Sequence, residues 1–129
     1  MVNAVGLADT SVFITSEAGR LLRGEPPEEV AVSIVTIAEL RAGVLAAVDT
    51  ATRSRRLATL HHAETLEPLP IDDAVATAWA ELRVALRDAG KRMPVNDSWI
   101  AATALANRFA VVAQDDDYDA VPGLTVIRV

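Results

Sequence analysis

The chain has 129 residues, 51% of them hydrophobic and 23% charged, which fits one globular domain over residues 1–129 and argues against disorder. It has no cysteine, so disulfides, thiol catalysis and thiolate metal sites are excluded, and a reducing, cytoplasmic setting is expected. Eighteen acidic residues against twelve basic ones give a net charge of −6, an unpromising total for a nucleic-acid binder judged on charge alone.

The uncharged runs at 30–38 and 98–107 are nine and ten residues long, far short of the roughly 20 that span a bilayer. No basic stretch leads into an apolar run at the start, so neither a membrane role nor a secretion signal is expected.

Residues 5–8, VGLA, form a short apolar run that stops at Asp9, and Thr10 or Ser11 can cap a helix through Ser16. Residues 24–27, GEPP, read as a loop. The β-branched run at 30–35 predicts a buried strand. Thr36 then opens a helix to about Val48, and 52–63 predict another with Leu57 and Leu60 on one face. Residues 66–71 are extended, punctuated by Pro68 and Pro70. Asp72 and Asp73 begin the longest helix, where Val75, Ala78, Trp79, Leu82 and Leu86 keep helical spacing until Gly90. A helix over 96–108, a strand over 109–113, a loop over 114–122 and a strand over 124–129 complete the chain. Strands alternating with helices predict an α/β fold, a parallel sheet flanked by helices on both faces. Such sheets bind ligands beyond the carboxyl ends of their strands.

That rule selects among the acids. Asp9 follows the first strand and Asp115 the strand ending at Ala113, while Glu39 and Asp97 lie in the early turns of two helices. All four can project toward one end of the sheet. Two carboxylates about 4 Å apart repel by roughly 4 kcal/mol at an effective dielectric of 20, so such a group needs protons or cations. Oxygen ligands without His or Cys point to Mg²⁺ or Mn²⁺. Each acid also has a structural explanation. Thr36 and Glu39 have the spacing of a capping box, Asp97 suits a helix N-terminus, and 115–117 resemble a solvated acidic turn. Asp9, directly after a buried strand, is the hardest to explain without a partner or a task.

The segments LADTSVFI, SIVTIAELRAGV, VNDSWIAATAL and VVAQDDDYD, in this order and spacing, resemble the four acidic motifs of PIN-domain nucleases, and most closely those of VapC-type toxins. The resemblance spans essentially the whole chain. It implies a three-layer PIN-like fold and an acidic quartet of Asp9, Glu39, Asp97 and Asp115, with Asp117 secondary. It further implies a Mg²⁺- or Mn²⁺-dependent endoribonuclease that leaves 5′-phosphate and 3′-hydroxyl ends. Asp9, Asp97 and Asp115 would hold the cation, and Glu39 would orient or deprotonate water. Thr10 or Ser11 would contact the phosphate or steady Asp9. A VapB-type antitoxin, a homodimer and a larger toxin–antitoxin assembly are implied as well. The fourth motif departs from the pattern, with Ala113 in place of a hydroxyl residue and Tyr118 in place of Phe.

RNA bound beside clustered acids needs nearby cations, and Arg53, Arg55, Arg56, Lys91 and Arg92 are the candidates. An apolar groove using Phe13, Ile14, Val44, Leu45, Leu57 and Leu60 is expected to receive an antitoxin helix. The resemblance adds an antitoxin arginine at the acidic pocket. His61 and His62 lack zinc-site spacing and read as surface residues. Trp79 and Trp99 read as core or interface. Gly19 and Gly24 have the outer spacing of a phosphate loop, but Glu25 and Pro26 follow where Lys and Ser or Thr belong. One alternative function is a catalytically weak PIN-fold module that binds RNA or protein. Another is a receiver-like or phosphatase-like Mg²⁺ domain, disfavoured because Lys91 is the sole lysine and Ser11 stands where a phosphatase needs Asp.

Overall fold

The computed structural model describes residues 5–129. Four strands, β1 (Val5–Ala8), β2 (Glu29–Ala31), β3 (Ala110–Ala113) and β4 (Val126–Arg128), form one parallel sheet in the order β2-β1-β3-β4. Five helices accompany them: α1 (Thr10–Glu17), α2 (Ile34–Ala46), α3 (Thr50–Glu64), α4 (Asp73–Asp88) and α5 (Val95–Asn107). Strand order reverses between β1 and β3, where Leu7 pairs with Val111 and Ala8 with Val112. The crevice at such a reversal is where parallel α/β sheets place their ligands. Asp9 begins just past it, its amide donating to Val112 O at 2.9 Å.

Alternation along the strands divides the core into two. Leu7, Val111 and Ala113 pack with Leu82 and Leu86 of α4 and with Ile100, Ala101 and Ala104 of α5. Their neighbours Ala8 and Val112 point the other way, onto Phe13 of α1, Ile37 and Leu40 of α2, and Leu60 and Ala63 of α3. Successive strand side chains take opposite faces, so four-residue strands supply both layers. The expected three-layer architecture follows. Gly6 is required by the tightness of the sheet, since a Cβ there would lie 2.5 Å from Val112 Cγ2.

The run at 30–35 is not one buried strand. β2 is a half-buried edge strand ending at Ala31, and α2 starts at Ile34, not Thr36. Ser33 Oγ accepts from Val35 N and caps α2, so local capping overrides the β-branched composition. This also removes the capping box: Thr36 lies inside the helix, and Glu39 caps nothing. At α1 the cap is Asp9, which accepts from Ser11 N, whereas Thr10 and Ser11 belong to the first turn. Asp49 caps α3 and Asp72 caps α4. The extended stretch at 66–71 contributes an isolated bridge, Ser33 to Leu69. α5 runs from Val95 and ends at Asn107, with Arg108 in the left-handed conformation at φ 59°.

Candidate active site

Asp9, Glu39 and Asp97 come from three elements that meet at the carboxyl end of the sheet. The end of β1 places Asp9, which is buried, and its Oδ1 is engaged by the α1 cap. Glu39 sits in the second turn of α2, half-buried, facing α1 and α5. Thr10 Oγ1 donates to Glu39 Oε1 at 2.6 Å, and Asn96 Nδ2 donates to Oε2 at 3.3 Å. Thr36 Oγ1 lies 2.9 Å from Thr10 Oγ1. Thr10 has one proton and spends it on Glu39, so Thr36 is the donor in that pair. The relay runs from Thr36 to Thr10 to Glu39 and fixes the carboxylate's direction. Asn96 was not singled out by sequence, although it adjoins Asp97, and Thr36 was read as a helix cap and not as a partner of Thr10.

Asp97 occupies the first turn of α5. A helix N-terminus favours the anion, yet its carboxyl is pushed up to about 6, first by burial and then by Asp9, Asp117, Glu39 and Asp115. The acids expected from sequence therefore do share one electrostatic neighbourhood. Asp117 and Asp115 both contribute to raising Asp97. Both are exposed, and Asp117 N donates to Asp115 Oδ1 at 3.1 Å in a local turn. Desolvation and the Asp115 charge raise the Asp117 carboxyl too.

Among the described residues no three of these side chains close on one point as a finished metal site. Asp9 and Glu39 have oxygens engaged by protein donors. The donor set still fits a hard divalent cation: every donor is a carboxylate oxygen, and Asp97 gives up its proton more readily once positive charge arrives.

The PIN domain family matches residues 7–124, a span that includes all these acids. The chain belongs to the PIN-domain family. Over 127 residues it is 47% identical to Ribonuclease VapC5 of Mycobacterium tuberculosis, covering 98% of this chain and 94% of that protein. Ribonuclease VapC4 of the same organism is 50% identical over 127 residues, covering 95% of each. A crystal structure of the toxin–antitoxin system VapBC-5 from M. tuberculosis aligns at a TM-score of 0.89 and 46% identity, covering 98% of this chain and 100% of that one. These relatives place this PIN domain in the VapC-type branch.

The cations around the PIN-domain site divide into two groups. Arg53 donates to Ala47 O at 2.8 Å and Arg56 to Gly43 O at 2.7 Å, so both tie α3 to the C-terminal carbonyls of α2. Arg55 is exposed, donates to Thr52 Oγ1 at 3.3 Å within its own helix and acts on the Asp49 carboxylate. Lys91 and Arg92 instead line an open cavity of about 570 Å³ together with Arg83 and Arg87. Of these four cations Arg87 pairs with Asp88 at 3.2 Å.

The expected apolar groove is partly filled. Phe13 and Leu60 are core residues, whereas Ile14, Leu45 and Leu57 stay 48%, 82% and 39% exposed. Beside them, Ile14, Leu40, Gly43 and Arg56 line a cavity of about 210 Å³ that also includes Glu39, so the apolar face adjoins the acids. Trp79 and Trp99 are half-buried and stacked at 4.3 Å between α4 and α5, and Trp79 Nε1 donates to Ser98 Oγ beside Asp97. His61 and His62 are exposed in the last turn of α3. Among the described residues, no helix is long and apolar enough to cross a membrane.

Proposed function

We propose that the chain is a metal-dependent endoribonuclease, the toxin of a toxin–antitoxin pair, which hydrolyses RNA phosphodiester bonds at the acidic end of its sheet. The observation that carries this reading is the meeting of Asp9, Glu39 and Asp97 at the carboxyl end of the sheet, where Thr10 and Asn96 hold Glu39 and burial with neighbouring carboxylates raises Asp97. Similarity to ribonucleases of the VapC type over nearly the whole chain supports it. Asp9, Asp97 and Asp115, with Asp117, are the residues to hold Mg²⁺ or Mn²⁺. The cation, when bound, supplies Lewis acidity toward a phosphate oxygen and a lower pKa for water. Glu39, aimed by Thr10 and Asn96, accepts the proton of the attacking water. Thr10 is committed to Glu39, and Ser11, whose Oγ is buried, steadies Asp9 through its amide. Lys91 and Arg92 carry the RNA backbone, with Arg55 as the remaining cation on α3 and Arg53 and Arg56 serving the α2–α3 contact. The site of action is the cytoplasm, where RNA is found.

The partner is a VapB-type antitoxin whose helix covers Ile14, Leu45 and Leu57. From there its chain reaches Glu39 and presents a guanidinium to the carboxylates, the same charge compensation that a cation provides. The assembly of relatives titled VapBC supports such a pair. The testing experiment is cleavage of RNA by antitoxin-free protein with Mg²⁺ or Mn²⁺, with chelator, and with Asp9→Asn. Cleavage that needs the cation and Asp9 upholds the reading. Binding of RNA without cleavage in any of these conditions would leave a PIN-fold binding module instead.

A further inference from the structure

Among the described residues two buried side-chain polar atoms have no hydrogen-bond partner, Ser11 Oγ and Tyr118 Oη. Both belong to the neighbourhood of Asp9. Ser11 follows it in the first turn of α1 and gives its amide to Asp9 Oδ1. Tyr118 is fully buried, its ring packed with Leu7, Leu86, Ile100, Val111 and Ala113. Leu7 and Ala113 of this cluster lie two residues before Asp9 and Asp115, so the ring sits at the strand ends that carry those acids.

Buried hydroxyls are nearly always paired, and one left alone among carboxylates calls for a reason. Burial, then the Asp9 and Asp97 charges, push the phenol above its ordinary value, which puts both carboxylates within its electrostatic reach. Asp9 attracts the phenol proton, although the hydroxyl misses full hydrogen-bond geometry with any partner. The α1 cap uses Oδ1 of Asp9, which leaves Oδ2 as the acceptor.

We propose that Tyr118 is a positioning residue of the acidic site: its unpaired hydroxyl closes on the Asp9 oxygen that the helix cap leaves free when a divalent cation binds, and so holds that carboxylate for the cation. This rests on the reading of the site as cation-dependent. Groups that orient a metal-binding side chain change metal affinity when removed, typically 10–100-fold. The competing role is core filling, in which the ring alone matters.

Tyr118→Phe keeps the ring and deletes the hydroxyl. Titration of Mn²⁺ into this variant by calorimetry should show affinity about tenfold weaker than wild type, while the cation-free Tm is no lower. An unchanged Mn²⁺ affinity would overturn the proposal. The chain has a single tyrosine, so the ¹³Cζ resonance of labelled wild-type protein reports this hydroxyl alone and needs no Tyr118 variant to fold. It should move as Mg²⁺ is added, and should stay still in Asp9→Asn. A resonance that stays still in wild type while Mg²⁺ binds would also overturn it. Wild-type protein that neither binds Mn²⁺ nor cuts RNA would instead remove the functional reading itself, together with this role for Tyr118.

Discussion

Asp49 and Asp97 stand at the N-terminal ends of α3 and α5, and they meet opposite fates. At Asp49 the Thr52 amide and hydroxyl donate to the carboxylate at 2.8 and 3.0 Å, and these bonds hold it below its ordinary value. Asp97 receives no such bonds among the described residues, and burial with four like charges lifts it to about 6. The helix dipole is common to both, worth roughly 0.3–1 kcal/mol near a surface, so it does not decide the outcome. Neighbours do. The α3 end is built for stability, while the α5 end tolerates repulsion that only a proton or an external cation relieves.

The comparison is tested most severely by removing charge. Asp9→Asn or Asp97→Asn should lower RNA cleavage by roughly 100-fold or more, the scale of losing one group that manages charge in a transition state. The cation-free Tm should be no lower, because each change removes repulsion. Retained cleavage in nuclease-free protein would dissolve the contrast with Asp49. Glu39→Gln comes next. It keeps an acceptor for Thr10 and the α2 fold, so Tm should hold within a few degrees while turnover falls about tenfold or more. Since Ser33 caps α2, a Tm collapse in Glu39→Gln with normal cleavage would return Glu39 to a structural role.

Smaller effects sharpen the picture. Lys91→Ala with Arg92→Ala should raise KM and flatten the salt dependence, by about 0.7 in log–log slope for each single-strand phosphate deprived of its cation. Both residues are exposed, so stability should be unaltered. Asp72→Ala removes an ordinary cap on α4, where Asp72 accepts from Val75 N at 3.0 Å. A loss of about 1 kcal/mol by denaturant unfolding, with cleavage intact, is expected. The two acid types also separate by pH. Asp97 has a folded-state value above its ordinary 3.8, so its contribution favours folding below about pH 4 and is lost as pH rises through about 6. Asp49 is the reverse: its contribution is present above 3.8 and is lost as pH falls through its lowered folded value. From pH 7 to 5, cation-free wild type should therefore gain Tm relative to Asp97→Asn. Asp49→Asn should keep a constant offset over that window.

The α/β architecture was legible because strand-end acids and helical periodicity are local signals. Asp9 and Asp97 could be assigned to one end of the sheet from element order alone. Glu39 was legible as an acid of that end, but its cap-like spacing was not informative, since Ser33 starts the helix three residues before Thr36. The same serine hid inside a β-branched run and shortened the expected strand. Arg53 and Arg56 read as a cationic face because a sequence does not show which carbonyls an arginine will meet across a hairpin. Tyr118 was visible as a departure from a motif, yet its buried hydroxyl depends on the packing of Leu7, Ile100 and Val111 around the ring.

The central claim is that the α5 end of the molecule is short of positive charge which a divalent cation supplies. Calorimetric titration of Mn²⁺ at pH 7 into wild type and into Asp97→Asn, side by side, tests it most directly. The account predicts saturable binding by wild type and binding at least about tenfold weaker in Asp97→Asn. Equal affinity in the two proteins, or no binding by wild type, would contradict it.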